Sequence, residues 1–267
     1  MAFAENISNL FLNLKSGSLE VRLAENSMEI DAAQFLRYKV FYEEMKAKAD
    51  LRQTKLKRDI DNFDHYFDHI LVFDNKIKGS VHDKVIGTYR LNRGVHERKE
   101  KAFYTSGEYD IKSLIKNGGN ILELGRSCVA KEYRTGATMQ LLWSFIAQYI
   151  LKYNIDIMFG CASFPGIDPI AHQRPFDYLY RNYLAPKSIR PKALKSRKIN
   201  MKKEKLQNIS FKEFLSFIPP LIKGYIRLGA FVGDGAVIDH EFNTTDVCIV
   251  LPTEKISSRY KMHYDRN

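Results

Sequence analysis

The stretch 121–146, ILELGRSCVAKEYRTGATMQLLWSFI, decides the fold class. Its first ten residues (121–130) read as a strand with a glycine, Gly125, set inside it. KEYRTGAT (131–138) reads as a loop, and MQLLWSFIAQYILKY (139–153) as a strongly apolar helix. IDIMFGCASF (155–164) follows as a buried strand closed by Pro165-Gly166. A strand–loop–helix–strand unit at the centre of the chain implies a mixed α/β fold.

Upstream, LEVRLAE (19–25) alternates like a short strand after a poorly specified lead-in, and Asn26 or Ser27 is placed to cap a helix over 28–49. That helix sets Phe35, Leu36, Val40 and Met45 near one face. The charged run 55–69 leads into ILVFD (70–74), which is expected to form an antiparallel hairpin with VIGTYRL (85–91). Downstream, a helix is expected near 168–182. IKGYIRLGAFV (222–232) and TDVCIVL (245–251) read as closing strands. The expected organisation is one domain over 19–255 with a basic insertion at 185–205. Residues 1–18 and 256–267 are terminal extensions.

Apolar residues make up 45% of the 267, enough for a globular core and against global disorder. Three cysteines cannot build a disulfide framework. The longest uncharged run, 135–151, is too short and too polar for a membrane span, and no secretory signal is visible. These features point to a cytoplasmic protein, either soluble or peripheral on the inner membrane. Net charge is +11, of which residues 187–205 carry +8 from nine Lys or Arg and one Glu. So concentrated a charge suits an anionic membrane surface, an acidic carrier protein or a plain solvated face. Nucleic acid is disfavoured, because the run lacks aromatics for base stacking.

Glu123 and Arg126 stand three apart, on opposite faces of an ideal strand. A bulge at Gly125 would bring them to one side. Two readings follow: a carboxylate that accepts an ammonium proton beside a guanidinium that binds an anion, or an ion pair bracing the strand. Asp61 and Asp64 sit in a crowd with Asp59, His65, Asp68 and His69. That crowd reads as a site for a cationic substrate, a solvated acidic turn, or a metal site using the two histidines. No HExxH pattern exists, and no metal is expected. His69-x4-Asp74 and His172-x4-Asp177 both match a glycerolipid-acyltransferase pattern and are read as chance.

The stretch 121–146 resembles the acyl-donor core of the GNAT family of N-acetyltransferases. The resemblance implies a mostly antiparallel sheet with one splayed or bulged strand, flanked by helices. The donor's pantetheine arm would lie along the freed strand N–H groups, with its phosphate at the next helix N-terminus. Gly125, Arg134, Thr135, Gly136 and Thr138 would line that path. The family signature keeps Gly136 but has Thr138 where glycine or alanine is usual. The arm is therefore expected on acyl carrier protein, with no resident cofactor.

ELGRSCVAKEYR (123–134), IDIMFGCASFPG (155–166) and PPLIKGYIRLGAFVGDGAVIDHEFNTTDVCIV (219–250) resemble the hemolysin-like L-ornithine N-alpha-acyltransferases of ornithine lipid synthesis. This implies transfer of a 3-hydroxyacyl group from acyl carrier protein to the α-amine of L-ornithine, giving lyso-ornithine lipid. A more distant likeness is to acyl-homoserine lactone synthases. It rests on Arg37 with Phe41, Asp61 with Asp64, Arg90, and Glu123 with Arg126. Carried over, Glu123, Asp61 and Asp64 are candidate catalytic groups, and Arg126, Arg90, Arg37 and Phe41 substrate-binding ones. A homoserine-lactone signal synthase and a non-catalytic membrane- or carrier-binding module remain the alternatives.

Overall fold

The computed structural model describes residues 13–94, 102–203 and 209–256. The strands in chain order are β1 (Asn13–Ser16), β2 (Leu19–Leu23), β3 (Asp68–Asp74), β4 (Val85–Asn92), β5 (Tyr109–Asp110) and β6 (Ile121–Val129). They continue with β7 (Ile157–Pro165), β8 (Lys192–Ala193), β9 (Lys198–Ile199), β10 (Phe231–Asp239) and β11 (Thr244–Pro252). The α-helices are α1 (Ser27–Tyr38), α2 (Leu51–Leu56), α3 (Val81–Lys84) and α4 (Lys112–Asn117), then α5 (Gly136–Lys152), α6 (Gln173–Tyr183), α7 (Phe211–Phe217) and α8 (Pro220–Leu228). In each of two compact units, helices flank a mostly antiparallel sheet, the mixed α/β class expected. Unit 1 joins Met1–Asn92 to Leu124–Ile155, and unit 2 joins Arg93–Glu123 to Asp156–Asn267.

In unit 1 the strand order is β1-β2-β3-β4-β6. The expected hairpin is present, with Ile70 opposite Tyr89 and His69 opposite Arg90. Asn13–Ser16, expected as part of an unstructured lead-in, instead pairs with β2 across a turn at Gly17, whose φ of 62° suits glycine. Helix α1 starts at the Asn26 cap and presses Ala32, Ala33 and Leu36 onto Leu71, Phe73 and Val85. Fully burying a side chain the size of Leu or Phe is worth about 1.5–3 kcal/mol, so this face anchors the helix. The helix expected to run to residue 49 changes to a π-helix over Lys39–Glu44 and stops there, with Lys46 left-handed at φ 64°. Helix α2 lies between the expected helix over 28–49 and the charged run 55–69, whose first two residues it takes in; Asp50 and Gln53 form its capping box.

In unit 2 the order is β6-β7-β11-β10-β8-β5, with β9 on β10. β6 and β7 are parallel and pair through Ile121, Leu122 and Glu123 against Ile157, Met158 and Phe159. β7 pairs antiparallel with β11 along its whole length. Phe103, Tyr109, Leu114, Phe159, Val237 and Val250 build the core.

One expected strand is a helix. Residues 220–228 form α8, and β10 begins only at Phe231. Pro220 opens the helix at its first position, where the missing N–H costs nothing. Ile222, Tyr225 and Ile226 bury at helical spacing, and Gly229 (φ 93°) ends it in the left-handed region. The β-branched and aromatic content of 222–232 hid that spacing.

Candidate active site

Unit 1 sets three arginines against three aspartates, four of the six buried and Asp61 and Arg126 half-buried. Arg37 comes from the last turn of α1, Arg90 from β4 and Arg126 from β6, while Asp59, Asp61 and Asp64 lie on the loop after α2. Arg37 donates from Nε to Asp59 Oδ2 at 2.8 Å and from Nη2 to Asp64 Oδ1 at 2.8 Å. Arg90 Nη1 donates to Asp61 Oδ1 at 2.7 Å and to Asp64 Oδ1 at 2.8 Å. Arg126 reaches Asp59 Oδ2 at 3.1 Å and Asp61 Oδ2 at 3.2 Å. Three positive and three negative groups balance, which makes so much buried charge tolerable.

The members differ in access to solvent. The side chains of Arg37, Arg90 and Asp59 are enclosed, those of Asp64 and Arg126 keep 9% and 10% of their exposure, and that of Asp61 keeps 18%. Asp64 is also bonded by Gln34 Nε2 at 2.9 Å. Burial opposes its ionisation, but Arg37 and Arg90 outweigh burial and hold it far below the usual carboxylate range. Asp61 is shifted the same way, its burial outweighed mainly by Arg90. His69 Nε2 donates to the Asp64 carbonyl at 2.8 Å, and burial lowers the pKa of this imidazole to about 4.

Arg126 has φ 51° inside a strand. The sequence placed the irregularity of β6 at Gly125; the left-handed residue is its neighbour. A non-glycine there costs roughly 1–2 kcal/mol, and two ion pairs on the Arg126 guanidinium offset it. A Cβ added at Gly125 would meet no atom within 4 Å.

Glu123 ends the three-residue ladder of β6 in unit 2 and is 1% exposed. Its carboxylate accepts from Thr105 N at 2.7 Å, Thr105 Oγ1 at 2.6 Å and Tyr104 N at 3.1 Å. Beyond Phe159, the strand pairs that β7 makes among the described residues are with β11.

The remaining sequence-derived candidates are placed as follows. Phe41 packs against the core under α1. Thr135 caps α5, the 17-residue helix that begins at Gly136, and accepts from Thr138 N. Gly136 has no atom within 4 Å of an added Cβ, and Thr138 is buried. Arg134, expected to meet a phosphate, forms a bidentate pair with Glu44 at 2.6 and 2.7 Å. His172 bonds the Pro165 carbonyl and Asp177 bonds Arg181, so that pair of the chance pattern has structural partners.

Of the candidates named from the sequence, the structure brings Arg37, Asp61, Asp64, Arg90 and Arg126 into one cluster. Sequence reasoning did not single out Asp59, which joins Arg37 to Arg126, nor Thr105, which holds Glu123. Asp59 carried a faint signal as a third acid at spacing two from Asp61; Thr105 carried none.

Residues 36–144 match the family model described as an acetyltransferase (GNAT) domain, and with the architecture above this defines a GNAT-like acyltransferase fold. An L-ornithine N(alpha)-acyltransferase of Agrobacterium fabrum is 46% identical over 250 residues, covering 93% of this chain and 85% of that protein. One from Brucella abortus is 46% identical over 264 residues, covering 98% and 94%. The chain belongs to the L-ornithine N(alpha)-acyltransferase family. Among solved structures, the acyl-homoserine lactone synthase LasI is similar at 12% identity and a TM-score of 0.46, covering 89% of this chain and 94% of that one.

Proposed function

We propose that this protein transfers a 3-hydroxyacyl group from acyl carrier protein to the α-amine of L-ornithine, the first step of ornithine lipid synthesis. Acyl transfer to L-ornithine is supported by 46% identity, across more than nine-tenths of the chain, to relatives named L-ornithine N(alpha)-acyltransferase. The arginine–aspartate cluster supports it, because an amino acid needs a cation for its carboxylate and an anion for its ammonium. Asp61 and Arg126 retain solvent access and are assigned those contacts, with Arg90 behind them. Arg37, Asp59 and Asp64 hold the pair in place through the ion pairs that tie Arg37 to both acids and Asp59 to Arg126.

Attack by the amine on a thioester carbonyl creates an oxyanion and releases a proton. Glu123 is assigned as proton acceptor. The N–H groups on the edge of β7 past Phe159 are assigned to the oxyanion. The N-terminus of α5, with Thr135 and open space at Gly136, suits the pantetheine phosphate. Arg134 already pairs with Glu44, so it shapes that helix start rather than supplying a free cation. Thr138 in the degraded signature favours the carrier protein over coenzyme A.

No helix among the described residues is long and apolar enough to cross a membrane. Of the basic segment, Lys187, Lys192, Lys195, Lys202 and Lys203 are exposed, while Arg197 bonds the Gly107 and Ile238 carbonyls and Lys198 pairs with Asp234. The exposed lysines are assigned to an anionic membrane surface, where a single-chain lipid product would be delivered. Mass spectrometry of lipids from cells expressing the chain tests the function. Accumulation of 3-hydroxyacyl-ornithine supports it; an acyl-homoserine lactone or no new product refutes it.

A further inference from the structure

Unit 2 contains a second buried polar system, distinct from the arginine–aspartate cluster. Glu108, Asp239 and Asp246 have carboxylate oxygens within 4.8 Å of one another, and all three are buried. Cys161 on β7 donates from Sγ towards Glu108 Oε2 at 3.2 Å, and its sulfur lies 3.9 Å from Thr105 Oγ1. Thr105 Oγ1 in turn donates to Glu123 Oε1 at 2.6 Å. These contacts make one chain of exchangeable hydrogens: Glu123, Thr105, Cys161, Glu108. Thr105 and Glu108 are held in register by a tight turn in which Glu108 N donates to Thr105 O at 3.1 Å.

We propose that Thr105, Cys161 and Glu108 form a relay that drains the proton Glu123 takes from the attacking amine. The proposal rests on the reading of Glu123 as proton acceptor. The step balances without any co-reactant. Once Glu123 is protonated, the Thr105 hydroxyl turns its hydrogen from Glu123 to Cys161 Sγ. Glu123 then gives its hydrogen to Thr105 Oγ1, the turned hydroxyl hydrogen passes to Cys161 Sγ, and the thiol hydrogen passes to Glu108 Oε2. Hydroxyl and thiol end with the composition they began with, and one proton has moved from Glu123 to Glu108. Rotation of the hydroxyl and thiol resets the two carriers, and Glu108 releases its proton to solvent on the side of the part-exposed Arg197 before the next turnover.

The surroundings of Glu108 suit a proton sink. Asp246 faces it from β11, Asp239 from β10 and Cys161 from β7, and Arg197 Nη2 lies 3.6 Å from its other oxygen. Burial first, then the charge of Asp246, raises its pKa to about 8, against the opposing pull of the Cys161 hydrogen bond and Arg197. Burial and Glu108 likewise keep Cys161 in its thiol form, well above the ordinary thiol value. A relay needs an S–H, not a thiolate. The sink is empty only above about pH 8, so turnover should rise through that pH.

The test compares Cys161→Ala, Cys161→Ser and Glu108→Gln with the parent protein, using L-ornithine and 3-hydroxyacyl carrier protein. Cys161→Ala should lower kcat about tenfold or more, leave the KM for L-ornithine unchanged and remove the rise in kcat near pH 8. Cys161→Ser restores a hydrogen-bonding hydroxyl and should recover both. Glu108→Gln should abolish the rise. Parent-like kcat and pH profile in Cys161→Ala would overturn the relay. So would equal losses in the Ala and Ser variants with equally lowered melting temperatures, since that marks a packing role. Infrared titration keeps the relay testable if the parent shows no turnover, an outcome that would count against the proposed function instead. The S–H stretch lost in Cys161→Ser should shift as pH crosses about 8 in the parent and stay fixed in Glu108→Gln. An unshifted band would overturn the link.

Discussion

Arg90 and Asp61 meet at 2.7 Å with one partner fully enclosed and the other still reaching solvent. The guanidinium thereby fixes the orientation of a carboxylate that retains room to bind. Both pair with further charges, Arg90 with Asp64 and Asp61 with Arg126. Loss of Arg90 therefore leaves Asp61 to Arg126 and Asp64 to Arg37, and breaks the balance of three cations against three anions. Removing one partner of a buried pair typically costs about 3–5 kcal/mol, and Arg90→Ala should lose stability of that order in denaturant titrations. Arg126→Ala, at a more exposed site, should lose less stability but more affinity for L-ornithine. Equal stability losses in the two would contradict the division between holding and binding members.

Acid should weaken unit 1 in two stages. His69 has its pKa lowered to about 4 from an unfolded value near 6.5. Between those values the unfolded chain binds the extra proton, so stability falls as pH drops from about 6.5 to about 4. Asp64 is depressed below its unfolded value of about 3.9. Its contribution is complete above that value and is lost at still lower pH. Unfolding free energies measured from about pH 1.5 to pH 8 should show the first slope flattened in His69→Gln and the second in Asp64→Asn.

Much of this was legible in the sequence, and the failures have physical causes. The strand–loop–helix–strand unit showed itself because β6 and β7 are short apolar runs bounded by turn residues and α5 is an apolar run long enough for a helix. Residues 222–232 did not, because Ile, Tyr and Val favour strands while their spacing was helical. The basic segment was read from its charge alone, as a face for an anionic membrane or an acidic carrier protein or as a solvated one. Backbone carbonyls and Asp234 claim Arg197 and Lys198, and no local pattern announces partners 36–90 residues away. Thr105 and Glu108 were invisible for the same reason: they lie in a polar connection whose meaning depends on Cys161 and Glu123.

Glu123→Gln should keep an acceptor for Thr105 and so preserve the fold. A general acid–base group contributes about 10²–10⁴-fold, and kcat should fall by that order with an unchanged melting temperature. A stable, fully active variant would remove Glu123 from the chemistry. A greatly lowered melting temperature would make it a brace.

Neutralising Lys187, Lys192, Lys195 and Lys202 to glutamine probes the membrane assignment. Each basic group near an anionic leaflet gains about 1 kcal/mol, so four lost charges should weaken sedimentation with anionic vesicles by roughly 10³-fold. The KM for soluble acyl carrier protein should stay near the parent value. A large rise in that KM with vesicle binding intact would assign the lysines to the carrier.

Donor choice is decided by steady-state rates with matched 3-hydroxyacyl chains on the two carriers. The carrier-protein thioester should turn over faster than the coenzyme A thioester. The reverse order would show that Thr138 does not bar the nucleotide-bearing donor.

The most direct test of the central claim uses the purified protein, 3-hydroxyacyl carrier protein and L-ornithine labelled with ¹⁵N at the α position. Fragmentation of the product by tandem mass spectrometry should place the acyl group on the labelled nitrogen, with loss of activity in Arg126→Ala. Acylation of the side-chain amine, or no acyl-ornithine under conditions where S-adenosylmethionine yields an acyl-homoserine lactone, would contradict it.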